Sequence, residues 1–270
     1  MARSGDDEAA DSKLYARGVA NALITGVGRQ RGIGASIAAG LATDGWDLAL
    51  SYWQPYDERI GLERGEADPQ QLANRLRSAG RAIELLPADL EDPAVPAGVV
   101  QRACDSLGPL DALVLSHCEG VDSGLLDTTV ESFDRHYAVN VRASWLLIAA
   151  FARQLPPSGG TVVALTSDHT VGNLPYGATK GALDRLVLAA AHELGQQGLR
   201  ANVINPGPVD TGWMDDGTHA RLLPMQPTGR LGTGADTANL VRFLLSAQGR
   251  WINGQRLHSN GGFPLGALPV

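Results

Sequence analysis

From Val19 onward, short apolar runs alternate with longer amphipathic stretches. Ala20–Ile24 reads as a buried strand, and Ile33, Ile37 and Leu41 then recur at helical spacing until Gly45 stops the helix. Asp47–Tyr52 is a second strand. Asp68-Pro69 supplies an N-cap and a first-turn proline for a helix ending near Gly80. Ala82–Leu86 is a third strand, Pro93–Leu107 a helix closed by Gly108, and Ala112–Ser116 a fourth strand. Thr128-Thr129-Val130-Glu131 has the form of a capping box opening a long helix to about Leu155. Thr161–Leu165, the helix Tyr176–Leu194, Ala201–Ile204, a helix near Ala235–Ala247 and a strand near Gln255–His258 complete the pattern.

Strands that alternate with helices call for βαβ crossovers and a parallel sheet covered on both faces. The expectation is an α/β fold, a single doubly wound parallel sheet of about seven strands over residues 19–270. Residues 1–18 are expected to form an acidic, disordered tail, since Asp6, Asp7, Glu8 and Asp11 precede no apolar run. Gln54–Ala67 is long for a strand–helix connection, which marks a functional loop or an insertion without a role. Asp215–Pro227 is poor in helix signals.

Composition narrows the function classes. A net charge of −7 and a pI near 5.3 argue against nucleic acid as partner, because such a partner needs a basic face. No stretch of eighteen apolar residues exists to cross a membrane. Cys104 and Cys118 form no C-x-x-C pair and read as reduced thiols of a cytoplasmic protein. The six histidines lack ligand spacing, so no metal is expected. Of 22 basic residues only Lys13 and Lys180 are lysine. In a chain that otherwise writes arginine, a lysine marks a place where a compact, tunable ammonium is needed.

Directly after the first strand stands Thr25-Gly26-Val27-Gly28-Arg29-Gln30-Arg31-Gly32-Ile33-Gly34. Glycines there allow a tight turn and close approach of a pyrophosphate to a helix N-terminus; a purely structural turn is the alternative. The second strand ends in Ser51-Tyr52-Trp53, without the acid that would hold a ribose 2′-hydroxyl. Arg29 and Arg31 could reach a 2′-phosphate, which favours NADP over NAD. Further on, Tyr176 and Lys180 lie one helical turn apart and share a face. A nearby ammonium favours phenolate and would lower the tyrosine pKa toward neutrality, as an acid–base catalyst requires.

With these motifs in this order the chain resembles the short-chain dehydrogenase/reductases, from about Val19 to Phe263. Asp89-Leu90, Asn140 in Val139-Asn140-Val141, Ser167, Tyr176/Lys180 and Pro206-Gly207-Pro208-Val209-Asp210-Thr211-Gly212 carry the likeness. Gly229–Gly232 and Gly254–Phe263 resemble the 3-oxoacyl-(acyl-carrier-protein) reductase branch. The resemblance implies a Rossmann fold and a four-residue site. Tyr176 is the general acid/base, Ser167 orients the carbonyl oxygen, and Lys180 tunes Tyr176 and binds the nicotinamide ribose. Asn140 holds a water that relays protons. It implies a cofactor bound by Gly26, Arg29, Arg31, Gly32, Ile33, Gly34, Tyr52, Ser116, Tyr176 and Lys180. Asp89 and Leu90 flank its adenine, and Pro206, Gly207, Val209 and Thr211 its nicotinamide. The substrate would be a small carbonyl, alcohol or acyl thioester, and the chain a homodimer or homotetramer that pairs through Tyr137–Phe151 and Tyr176–Leu194.

Three features depart from the family pattern. The glycine turn is two residues longer than usual, a length similar to the enoyl-reductase branch. Leu115-Ser116-His117-Cys118 replaces Asn-Asn-Ala-Gly, and Ser167 precedes Tyr176 by only nine residues, so Ser167 is open to displacement. A carbonyl reductase, a catalytically weak dinucleotide sensor or scaffold, and an enoyl-thioester reductase therefore all stand at this point. His169 is expected in a loop, and Trp213 and Met214 either in a lid over the site or in ordinary packing.

Overall fold

The computed structural model describes residues 19–62 and 69–264. The acidic segment 1–18 and the expected N-cap Asp68 lie outside them. Seven parallel strands stand in the order β3-β2-β1-β4-β5-β6-β7. They are β1 (Asn21–Ile24), β2 (Asp47–Tyr52), β3 (Ile83–Pro87), β4 (Ala112–Leu115), β5 (Gly160–Leu165), β6 (Leu199–Asn205) and β7 (Arg256–His258). The nine helices among the described residues are α1 (Ile33–Thr43), α2 (Gln54–Arg59), α3 (Pro69–Ser78), α4 (Val95–Leu107), α5 (Val130–Tyr137), α6 (Ala143–Arg153), α7 (Leu174–Glu193), α8 (Asp216–Leu222) and α9 (Gly234–Leu245). None is long and apolar enough to cross a membrane.

The strands are buried on both faces, and alternate residues feed two separate cores. Leu23, Leu113 and Val162 pack with Val99, Phe151, Leu183 and Val187 under α4, α6 and α7. Ile24, Leu50, Val114 and Val163 pack with Ile37, Leu41, Leu72 and Val241 under α1, α3 and α9. Each fully buried side chain of this size contributes about 1.5–3 kcal/mol. Strand order reverses between β1 and β4, and a cleft of about 600 Å³ opens at the carboxyl ends there. That is where an open α/β sheet presents its binding crevice.

Three elements differ from the sequence reading. The long helix begins at Thr129, whose hydroxyl accepts from Ser132 N at 3.1 Å, one residue later than the expected box. Thr128 donates instead to the carbonyl of Gly124. The same helix is broken by a π turn over Ala138–Arg142. The supposed loops after Trp53 and after Asp215 each contain a helix, and Asp215 caps the second by accepting from Thr218 N at 2.7 Å.

Candidate active site

The glycine turn is built by close backbone contact. Thr25 N donates to Val114 O and Val27 N to Ser51 O, both at 2.9 Å, so the turn is pinned between β4 and β2. Gly26 has φ +74°, and a side chain there would meet Ser116 and His117 backbone atoms at 2.6 Å. Gly34, in the first turn of α1, would meet Gly26 O at 2.8 Å. Only glycine fits both positions. The amides of this turn and the start of α1 form a cradle that suits a pyrophosphate. Gly26, Gly32, Ile33, Tyr52, Asp89, Leu90, Ser116, Pro206, Gly207, Val209 and Thr211 all line the cleft. Gly34 supports it from behind, and Arg31 lies off its wall.

Both arginines of the turn have acidic partners. Arg29 Nε lies 3.3 Å from Asp57 Oδ1, and its Nη1 donates to Thr211 O at 3.0 Å. Arg31 Nη2 donates to both carboxylate oxygens of Asp210, at 3.1 and 3.2 Å. The glycine turn is thereby tied to α2 on one side and to the loop after β6 on the other.

Ser167, Tyr176 and Lys180 meet on the cleft floor. Despite the short intervening loop, Ser167 and Tyr176 both line the cleft. The Ser167 hydroxyl oxygen accepts from His169 N at 3.1 Å, which closes the loop tightly. Lys180 is 3% exposed; its Nζ donates to Leu165 O at 2.8 Å and sits 5.5 Å from the Tyr176 ring centroid. The expected lowering of the tyrosine pKa is not what this arrangement yields. Burial pushes the Tyr176 phenol up, the nearby Cys118 thiol adds to that, and the neighbouring Ser167 hydroxyl opposes it. The ammonium lies over the ring, and burial pushes Lys180 itself down. Tyr176 therefore holds its proton at neutral pH.

Asn140 lies behind the cleft, not in it. Its Oδ1 accepts from Glu119 N at 2.7 Å, and its Nδ2 donates to Glu119 O and Thr179 Oγ1, each at 2.9 Å. With both amide N–H groups taken, the side chain braces the segment after β4 against α7, next to Lys180. The π turn presents it for these bonds.

Sequence reasoning missed His117, Glu119, Asp57 and Tyr56. His117 replaces a small family residue and uses both ring nitrogens. Val139 O can only accept, so Nε2 carries the proton (3.1 Å), and Nδ1 accepts from Thr25 Oγ1 at 2.6 Å. Burial, then the Lys180 charge, pushes its pKa down to about 3. The folded state thus refuses a proton that an unfolded histidine takes at about 6.5. Stability contributed by neutral His117 is complete above that value and is lost as pH falls toward 3. Between pH 7.5 and 5, urea unfolding is expected to lose about 2 kcal/mol through this group; in His117→Gln the same pH change is expected to cost correspondingly less. Equal pH dependence in both proteins contradicts the assignment.

Glu119 is buried and takes a bidentate contact from Arg59 Nη2, at 2.6 and 2.8 Å. The Tyr56 hydroxyl donates to Gly120 O at 3.4 Å. Helix α2 consequently reaches from the end of β2 to the neighbourhood of Tyr176. Trp213, Met214, Leu222 and Phe263 line the outer cleft with His169, Asp122 and Arg221.

The family model described as enoyl-(acyl carrier protein) reductase matches residues 26–264. The uncharacterized oxidoreductase YjdA of Bacillus subtilis is 33% identical, with 90% of this chain and 96% of that protein covered. The NADPH-dependent aldehyde reductase-like protein of Arabidopsis thaliana chloroplasts is 30% identical, over 90% and 93%. A short-chain dehydrogenase from Burkholderia cenocepacia, solved in complex with NADP, superposes with a TM-score of 0.80 at 34% identity, over 90% of this chain and 97% of that one. The likeness runs through every element that builds the cleft, and the chain belongs to the short-chain dehydrogenase/reductase family of NAD(P)-dependent oxidoreductases.

Proposed function

We propose that the chain is an NADPH-dependent reductase interconverting a ketone and a secondary alcohol, with Tyr176 as proton donor. The observation that carries this reading is the convergence of Ser167, Tyr176 and Lys180 beside the glycine turn. When bound, the nicotinamide supplies the hydride at its C4. The Ser167 hydroxyl orients the carbonyl oxygen against the Tyr176 phenol, which keeps its proton and delivers it to that oxygen. The Lys180 ammonium makes one hydrogen bond among the described residues, to Leu165 O, and its other N–H groups are available to ribose hydroxyls. The glycine turn binds the pyrophosphate, Asp89 and Leu90 flank the adenine, and Pro206–Thr211 cover the nicotinamide end. NADPH rather than NADH is supported by the missing carboxylate at the end of β2, by Arg29 on the cleft wall, and by the NADP-bound relative. The half-exposed Trp145 on α6 supports a homo-oligomer paired through that face, and the free thiols a cytoplasmic setting.

An enoyl-thioester reductase is the second reading. The long glycine turn and the description of the matching family model favour it. The four-residue Tyr176–Lys180 spacing favours carbonyl reduction. Assay of NADPH oxidation with a panel of ketones and 3-oxoacyl thioesters against enoyl thioesters separates the two. Turnover of the ketones or 3-oxo compounds is expected. Reduction of enoyl thioesters alone contradicts the proposal.

A further inference from the structure

The bond from Val27 N to Ser51 O lays the glycine turn against the carboxyl end of β2. In a doubly wound sheet the adenosine ribose sits there, and a carboxylate at that point accepts from its hydroxyls. Ser51-Tyr52-Trp53 supplies none. The fold brings one from the next element instead. Asp57 is buried on the cleft wall, 3.3 Å from Arg29 Nε, and its Oδ2 would lie 3.0 Å from a methyl group built on Gly28. Its position is built rather than incidental. Arg59 and Glu119 anchor the end of α2, and the Tyr56 hydroxyl ties the middle to Gly120.

The subsite thus holds a base and an acid in one pair. A 2′-phosphate needs Arg29 and meets the Asp57 carboxylate as a like charge. A free 2′-hydroxyl has an acceptor and loses nothing. The geometry points to Asp57 as the specificity-determining residue of the ribose subsite, drawing selectivity toward the unphosphorylated nucleotide and against the preference that Arg29 alone would set. The inference rests on the dinucleotide reading of this cleft.

Fragments that carry no nicotinamide isolate the subsite. Dissociation constants of 2′,5′-ADP and of ADP are measured by calorimetry on the wild-type chain, Asp57→Asn and Asp57→Ala, with NADPH and NADH by fluorescence. Both substitutions are expected to tighten 2′,5′-ADP about tenfold and to leave ADP unchanged or weaker, with the NADPH to NADH ratio moving the same way. Arg29→Ala is expected to weaken 2′,5′-ADP selectively. Ratios that stay within about twofold of wild type in folded variants, or that move toward ADP, overturn the role of Asp57 while the dinucleotide reading stands. If no variant, nor the wild type, binds any of the four nucleotides, the proposed function fails, and the Asp57 assignment fails with it.

Discussion

Tyr176→Phe is expected to lower turnover about 10²–10⁴-fold, the range over which a positioned general acid acts, while NADPH binding changes by less than about threefold. The substitution keeps the ring that packs beneath Lys180 and removes only the hydroxyl. It thereby removes the proposed proton donor while the ring stays beside Lys180. Nothing in the glycine turn or the Asp89-Leu90 edge touches that oxygen, so cofactor affinity is largely spared. Steady-state kinetics with a ketone substrate, beside a fluorescence titration with NADPH, reads both quantities. A proportionate loss of both would mean that Tyr176 holds the cofactor rather than the reacting oxygen.

Lys180→Arg is the second large effect. The ammonium occupies a buried pocket roofed by the Leu165 carbonyl and walled by the Tyr176 ring. A guanidinium is longer and planar, and forcing it there costs about 1–3 kcal/mol in packing strain. The variant is expected to fold with a lower Tm. It places its charge away from Tyr176 and from the proposed ribose position, and turnover is expected to fall about 100-fold. Circular dichroism and thermal unfolding check the fold, and kinetics checks the loss. Turnover within about threefold of wild type in a folded Lys180→Arg protein would show that charge alone suffices.

The sheet was largely legible in the sequence because its strands are short apolar runs buried on both sides. Asp47–Tyr52 matches β2 residue for residue. Two features of the helices were not. The π turn at Ala138–Arg142 sits in an apolar run with unbroken helical character, and only the distant contacts of Asn140 with Glu119 and Thr179 reveal why it forms. Helix α2 contains Pro55 and mostly polar residues. Its amphipathic signal is weak, and its stability comes from ion pairs with Arg29 and Glu119 that lie far away in the chain.

The Tyr176–Lys180 pair was legible as residue types at a spacing, but its electrostatics were not. Helical spacing places Lys180 near Tyr176 without saying whether the ammonium faces the hydroxyl or the ring. Burial, which has no local signature, decides the direction of the Tyr176 shift. Local sequence did carry one unused signal. Where the family has Asn-Asn-Ala-Gly, this chain places His117, and Glu119 follows directly after that segment. Both proved to be anchors, His117 for the glycine turn and the π turn, Glu119 for α2.

The proposed reaction is proton delivery from Tyr176 during hydride transfer from NADPH to a carbonyl. Its most direct test is NADPH consumption by the wild-type chain and Tyr176→Phe, side by side, across one carbonyl panel at saturating cofactor. At least one carbonyl is expected that the wild type reduces and the variant does not. Equally slow oxidation of NADPH by both proteins with every carbonyl would contradict it.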